Sequence, residues 1–319
     1  MFKKTLIAMS LAAVTGSAMA DVSVSGRVEQ TFTNTDVAAT GDAFAGGSDN
    51  HVVISASEDL GNGMTAFAKV MLDTDKADTA DVADGTDTKD EIVGLKGSFG
   101  TVFVGRFEAF VEGKVASTMS FNGHAAIEQS TSNAGRTSQG MAYVSPTVNG
   151  FHAGIGGYAL NSSGSATYNA EDLDATEIAV FYSNGPLDIR VARQDVSNQA
   201  AAALGTATAG VAEQTTAISA SYTMGDAKVS YFRNDYENVN GTATNDGTDN
   251  SYRLDYTMGA NKISLGKLDD ETFAGAAGSD VTALELTHSF SKRTQAYVGM
   301  TDSDAANADT TYFGLQHSF

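Results

Sequence analysis

The chain has 319 residues, with 33 glycines, two prolines and no cysteine, and its formal net charge is -20 at pH 7. The absence of cysteine excludes disulfides and thiolate metal sites, and the excess of acid argues against a nucleic acid partner, because phosphate neutralisation needs lysine and arginine. No metal site or other cofactor is expected, since the histidines lack metal-ligand spacing: His51, His124, His152, His288 and His317.

Residues 1–20 have the pattern of a secretory signal peptide. Lys3 and Lys4 form the positive start, residues 5–14 form the apolar run, and Ala18-Met19-Ala20 is the small-residue cleavage site. The apolar run is much shorter than the roughly 20 residues that a membrane-spanning helix needs. We therefore expect export, cleavage after Ala20 and a mature chain of residues 21–319.

From residue 21 onward, segments of alternating apolar and polar residues are separated by connections that are long and short in turn. A strand has a side-chain period of two, so this alternation predicts strands with one apolar and one polar face. The predicted strands lie at residues 21–32, 51–60, 64–72, 91–99, 101–107, 138–145, 151–160, 176–183, 187–195, 215–224, 227–236, 251–258, 262–268, 281–290, 294–300 and 310–319.

The alternation of long and short connections distinguishes two classes of all-β protein. A soluble sandwich has no reason to place every long connection at one end, whereas outer-membrane barrels have short periplasmic turns and longer extracellular loops. Sixteen strands also enclose a lumen wide enough for water. The sequence therefore predicts an all-β fold, a sixteen-stranded antiparallel transmembrane β-barrel, with both termini on the periplasmic side.

The last predicted strand ends on an aromatic residue. Its apolar residues Phe313, Leu315 and Phe319 lie at alternating positions. A terminal Phe on such a strand resembles the assembly signal of outer-membrane barrels, which would make the barrel assembly machinery a partner. The alternative is an ordinary edge strand. Aromatic residues near the short turns further predict a girdle at the inner membrane interface: Tyr143, Phe181, Tyr182, Tyr222, Tyr256, Phe290 and Phe319.

Several short segments, ordered along the whole mature chain, carry a family resemblance: Val24-Ser25-Gly26-Arg27-Val28, Gly94-Leu95-Lys96-Gly97-Ser98-Phe99-Gly100, Val104-Gly105-Arg106, Tyr143-Val144-Ser145-Pro146, Asn184-Gly185-Pro186, Ser291-Lys292-Arg293-Thr294 and Gly314-Leu315-Gln316-His317-Ser318-Phe319. Each is weak alone. As an ordered set they resemble the trimeric, sixteen-stranded general porins of Gram-negative bacteria, and in particular the proteobacterial subgroup that includes the neisserial porins.

The resemblance implies a homotrimer in the outer membrane, with a third extracellular loop folded inward to narrow the pore. Members of the family place acidic residues of that loop opposite basic residues of the barrel wall. Here the acidic candidates are Glu108, Glu112 and Glu128, and the basic candidates are Arg27, Lys69, Lys96, Arg190 and Arg253. Alternation assigns Arg27, Lys69 and Arg190 to the lumen, since a basic residue facing lipid at mid-strand costs about 2–4 kcal/mol.

One departure from the family concerns ion preference. Relatives often carry an arginine one residue before the tyrosine of the strand after the third loop, and here that position is Ala142. With a reduced basic wall and a large negative charge, we expect passive diffusion of ions and small hydrophilic solutes with a preference for cations. If most of the acid lies in outer loops, however, screening over about 8 Å makes its effect weak.

A substrate-selective outer-membrane channel or an adhesin on the same barrel is the main alternative. No enzyme is expected, because no Gly-x-Ser-x-Gly nucleophile motif is present. The Asp-rich connection at residues 73–91 lacks the spacing of an EF-hand and is interpreted as a solvated acidic loop, with loose divalent-cation bridging to lipopolysaccharide as the alternative. Outer-membrane lipids and lipopolysaccharide are the remaining expected partners.

Overall fold

The computed structural model describes residues 20–36, 43–74, 87–122, 127, 136, 139–159, 173–197, 212–239, 246–270, 280–304 and 309–319. These residues form one sheet of 17 strands. The strands are β1 (Asp21–Thr35), β2 (Ala43–Ser48), β3 (His51–Gly61), β4 (Met64–Asp73), β5 (Asp87–Gly97), β6 (Gly100–Arg106), β7 (Gln139–Val144), β8 (Phe151–Ala159), β9 (Ala175–Asn184), β10 (Leu187–Val196), β11 (Gln214–Met224), β12 (Ala227–Glu237), β13 (Gly247–Met258), β14 (Asn261–Asp270), β15 (Val281–Ser289), β16 (Thr294–Ser303) and β17 (Thr310–Ser318).

The sheet closes on itself as a barrel. Strand β1 pairs with β17 on one side, and on its other side it pairs first with β3 and then with β2. Because β2 and β3 follow one another along the same edge of β1, they occupy one position in the wall. Each later strand pairs antiparallel with the next one in sequence, so the wall is a closed 16-stranded antiparallel barrel and the predicted fold class is confirmed.

Strand boundaries differ from the prediction at the end with the long connections. Residues 43–48 were predicted as part of a connection and form β2, while β5 and β13 each begin four residues earlier than the pattern indicates, at Asp87 and Gly247. The added residues of β5 and β13 are almost all polar, and β2 consists of small residues around Phe44. Above the apolar band of the wall, strands continue without the alternation that makes them visible in the sequence.

The two faces of the wall are chemically distinct. Large apolar residues lie exposed on one face, such as Ile178 and Val180 on β9 or Leu284 and Leu286 on β15, and buried polar residues such as Glu285 lie on the other. The exposed apolar face is therefore the outside of the barrel. Among the described residues, no helix is long and apolar enough to cross a membrane.

The girdle prediction is wrong for one aromatic residue. Phe181 lies opposite Arg190 in the pairing of β9 with β10, on the inner face, and it is only 7% exposed. Its ring packs 4.7 Å from that of His152 and 6.2 Å from that of Phe110. The neighbouring Tyr182 has the opposite orientation and contacts the outward-facing Phe151 at 4.3 Å.

We call the long connection between β6 and β7, residues 107–138, the constriction loop, after the narrowing role that the family resemblance predicts for it. Its described part contains a π-helical turn, Val111–Val115, followed by a 3₁₀-helical turn, Ala116–Met119. The apolar residues of these turns are buried inside the barrel, with Val111, Val115 and Met119 at most 1% exposed. The loop thus has its own apolar core against the inner wall.

Candidate functional site: the constriction of the lumen

The constriction loop is held at its beginning by a buried carboxylate. Glu177, on the inner face of β9, accepts the backbone N–H of Phe110 at 2.7 Å and that of Val111 at 2.5 Å. The Tyr158 hydroxyl on β8 donates to the same carboxylate at 2.6 Å. Because this one side chain accepts two backbone N–H groups of the loop and is itself held by Tyr158, it fixes the position at which the loop turns along the wall.

The helical turns are held by two arginines of the wall. Arg190 on β10 donates from Nη1 to the carbonyl of Lys114 at 2.8 Å. Arg253 on β13 donates to the carbonyls of Ser120 and Met119, and its guanidinium lies 4.5 Å from the ring centre of Phe121. These two arginines therefore hold the backbone of the loop by hydrogen bonds, and they also place positive charge in the lumen.

Beyond the helical turns, the loop reaches the strands near the end of the chain. The Asn122 amide donates to Glu285 at 2.8 Å and to Thr287 at 3.1 Å, both on β15, and accepts from Gln295 on β16 at 2.9 Å. Ser251 on β13 donates to the carbonyl of Ile127. The described contacts of the loop thus extend along the inner wall from β8 to β16.

Two glycines leave room for the loop on the wall. A Cβ atom on Gly154 would lie 2.9 Å from the Phe110 ring. One on Gly266 would lie 2.5 Å from Ile127 Cδ1 and 2.9 Å from the Phe121 ring. The close approach of loop and wall therefore depends on the missing side chains at both positions.

The predicted basic wall residues all lie on the inner face, since they alternate with outward apolar residues. Four of them have a carboxylate within 4.0 Å: Arg27 pairs with Asp49, Lys69 with Asp90 at 2.7 Å, Arg190 with Asp188 at 2.6 Å, and Arg253 with Asp255 at 2.9 Å. Within the described part of the chain, Lys96 forms no ion pair. Most of the positive charge on this wall is therefore locally compensated.

The predicted acidic residues of the loop are placed differently from one another. Glu108 pairs with Arg136 of the same loop at 3.1 Å, and Arg136 also contacts Asp90 on β5 at 3.2 Å. Glu112 lies half-buried in the first helical turn. Glu128 lies outside the described residues. Ala142, the departure from the family pattern, is buried on the inner face of β7 opposite Phe103.

A model of the Gram-negative porin family matches residues 7–314. The chain belongs to this family. Outer membrane porin protein 32 of Delftia acidovorans is 30% identical over 249 residues, which are 72% of this chain and 68% of that protein. Major outer membrane protein P.IB of Neisseria meningitidis is 34% identical over 122 residues, 34% of this chain and 35% of that protein.

Solved structures agree on the fold. An anion-selective porin from Comamonas acidovorans has a TM-score of 0.70 and 22% identity, and a mutant of the Rh. blastica porin has a TM-score of 0.72 and 17% identity. Both cover 94% of this chain and 100% of their own. The predicted family is confirmed, and the chain is an outer-membrane porin channel.

The porin closes its wall where the two chain ends meet. Gly26 and Phe319 exchange two backbone hydrogen bonds, of 3.1 and 3.0 Å. A Cβ atom on Gly26 would lie 2.6 Å from the Phe319 ring, so the terminal aromatic covers this glycine on the outer face. Phe313 and Leu315 lie exposed on the same face of β17. Their role as an assembly signal stays a prediction.

Sequence reasoning missed the carboxylates of the porin wall. Asp90, Asp188, Asp255, Glu177 and Glu285 all lie on the inner face, and each binds either a lumen cation or the loop. For Asp188 and Asp255 a signal was available. Each lies two residues from an arginine on its own strand, and residues two apart share one face.

Proposed function

We propose that this porin is a water-filled channel for the passive diffusion of ions and small hydrophilic solutes. The observation that supports it is the course of the constriction loop, which is fixed to the inner wall from β8 to β16. The passage then runs between the loop and the opposite wall, β1 to β5, where Arg27 and Lys69 lie beside their carboxylate partners. Pore width and fixed charge decide what passes through such an opening.

Liposome swelling with neutral sugars of increasing size tests this function. A general diffusion channel gives rates that fall smoothly with solute size and do not saturate with concentration. A substrate-selective channel, the main alternative, gives saturation and a preference among sugars of equal size. An adhesin without channel activity gives no swelling. We assign the protein no enzymatic activity.

We further propose a preference for cations. Carboxylate pairing of Lys69, Arg190 and Arg253 leaves little free positive charge at the constriction, and the whole chain is strongly acidic. The similar structure from Comamonas acidovorans is described as an anion-selective porin. Its identity to this chain is 22%, so the similarity shows the fold alone and gives no ion preference for this chain. The zero-current potential in a KCl gradient decides: a positive dilute side supports the proposal, and a negative dilute side overturns it.

We also propose that the channel assembles as a homotrimer. The outer faces of β3 to β6 carry aliphatic residues of moderate size, such as Ile54, Val70, Val93 and Val104, and this arc suits contact between copies in a homotrimer. Residues 1–19 lie outside the described residues, so cleavage after Ala20 stays a prediction. Mass spectrometry of the purified, heat-modifiable oligomer checks both the stoichiometry and the new N-terminus at Asp21.

A further inference from the structure

Three ion pairs of one design lie on the outer face of the barrel. In each pair a basic residue is followed two positions later on the same strand by an aspartate. They are Arg193–Asp195 on β10, Arg233–Asp235 on β12 and Lys267–Asp269 on β14. We name this row of three pairs the outer ion-pair belt. These strands all run from a short turn toward a long connection, so every basic residue is nearer the middle of the wall than its aspartate.

The strand register places the belt at the upper edge of the apolar band. Arg193 lies opposite Ile178, Arg233 opposite Ile218 and Lys267 opposite Tyr252. Across the other strand neighbour, the same three residues face Thr216, Asn250 and Thr282. The basic groups therefore stand where apolar wall gives way to polar wall, which is the level of lipid headgroups in a membrane.

The aromatic residues beside the belt fit that level. Tyr231 and Tyr252 lie on the outer faces of β12 and β13 with ring centres 5.4 Å apart, and the Tyr231 hydroxyl donates to Asn250 at 2.8 Å. Amphipathic rings of this kind are typical of the boundary between hydrocarbon and headgroups. Two independent features of the outer wall thus mark the same height.

The basic groups of the belt keep hydrogen-bond donors for a partner. Their side chains are 45%, 41% and 50% exposed for Arg193, Arg233 and Lys267. Both arginines use Nε and Nη2 to hold their aspartate, at 3.2 and 3.0 Å in Arg193 and at 2.9 and 2.6 Å in Arg233. The aspartate fixes the guanidinium plane and leaves Nη1 directed away from it.

The belt is confined to one arc of the wall. On the far arc, outward residues near the same end include Val70, Val104, Met141 and Gly157, and also Arg106 of β6, which lies opposite the outward Glu91 of β5. Among the described residues, no pair of the belt's design lies on those strands.

We propose that the outer ion-pair belt binds the phosphate groups of the lipid in the outer leaflet, lipopolysaccharide. Adjacent strands are 4.7–4.9 Å apart, so pairs on alternate strands present cations at intervals of about 10 Å. Guanidinium groups match phosphate oxygens in geometry and charge. The proposal rests on the orientation of the proposed function, with the long connections outside the cell.

Binding of fluorescent diphosphoryl lipid A to the folded protein in detergent tests this proposal, in buffer with EDTA so that divalent cations cannot bridge. The test variant is Arg193→Gln/Arg233→Gln/Lys267→Gln. The matched control is Lys96→Gln/Lys228→Gln/Lys262→Gln, which removes the same charge from inward positions: their cross-strand partners include Thr101, Asp255 and Thr287.

Each surface cation contributes about fivefold to binding of an anionic lipid, so the test variant should lose about 100-fold in affinity. The control should bind as the wild type does, and the unphosphorylated lipid should bind both weakly. Equal losses in variant and control, wild-type binding by the variant, or binding that survives removal of the phosphates would each overturn the proposal. So would complete loss of wild-type binding in EDTA.

Two further variants keep the test decisive if the triple variant does not fold. Lys267→Gln alone removes the most exposed of the three cations and should lose about fivefold. Arg193→Lys/Arg233→Lys keeps the charge and should retain most of the binding. Planar-bilayer conductance should not change in the belt variants, because Arg193, Arg233 and Lys267 lie on the outer wall and not in the lumen. Loss of conductance with intact lipid binding would count against the proposed channel function and leave the belt in place.

Discussion

The Glu177 carboxylate accepts the backbone N–H of Phe110 at 2.7 Å and so connects β9 to the start of the constriction loop. It also accepts the Val111 N–H and the Tyr158 hydroxyl. All of these groups are buried. Any loss of the carboxylate therefore leaves donors without an acceptor in a place that water does not easily reach.

Replacement of Glu177 by Gln should loosen the beginning of the loop. The amide keeps one oxygen acceptor but turns an NH₂ group toward an N–H donor, and an unsatisfied buried polar group costs about 1–3 kcal/mol. We expect more open-channel current noise in single-channel recordings and unfolding at a lower temperature. Glu237→Gln, an exposed change at the end of β12, is the control. Equal noise in both variants would contradict the role of Glu177.

A side chain at Gly266 should displace the far part of the loop. The Cβ atom of Gly266→Val meets Ile127 and the Phe121 ring at distances shorter than ordinary contact, whereas Gly47→Val meets nothing within 4 Å. We expect a changed conductance and an altered size cut-off in liposome swelling for Gly266→Val only. Unchanged permeability in a folded Gly266→Val channel would show that this contact does not set the width of the pore.

Asp90 compensates two cations at once, since it contacts Lys69 at 2.7 Å and Arg136 at 3.2 Å. Replacement of Asp90 by Asn should free both positive charges at the passage and shift the zero-current potential toward anion preference. Asp195→Asn removes the same charge from the outer wall and should leave the potential as it is. An equal shift in the two variants would mean that overall charge, and not the constriction, sets the ion preference.

Deletion of Phe319 should impair insertion without changing the pore. The deletion removes the ring that covers Gly26 and both backbone hydrogen bonds of the seam, in which the Phe319 N–H donates to Gly26 at 3.0 Å and the Phe319 carbonyl accepts from Gly26 at 3.1 Å. Phe290→Ala changes another aromatic at a short turn, which is 64% exposed, and is the control. We expect less folded oligomer in the outer membrane for the deletion alone, with normal conductance in the channels that form.

The sequence predicts the barrel because the apolar band imposes a period of two on every strand that crosses it. The same rule assigns Arg27, Lys69 and Arg190 to the inner face. It fails at the long-connection end, where β2 is a short run of small residues around Phe44 and the first four residues of β5 are all polar. These segments show no alternation of apolar and polar residues, so they leave little trace in the pattern.

The contacts of the constriction could be predicted only in part. The pairing of Arg253 with Asp255 follows from their spacing on one strand face. The role of Glu177 does not, because an inward acid on β9 looks like any other lumen carboxylate until the course of the loop is known. Its partners are backbone N–H groups 66 and 67 positions away in the sequence, and no side-chain pattern records them.

Single-channel recording in a planar bilayer tests the central claim most directly. A water-filled passive channel produces discrete current steps whose conductance rises in proportion to the conductivity of the KCl solution. We predict this proportionality, with current that is linear at low voltage. Absence of steps from folded protein, or a conductance that saturates as KCl rises, would contradict the account of a general diffusion pore.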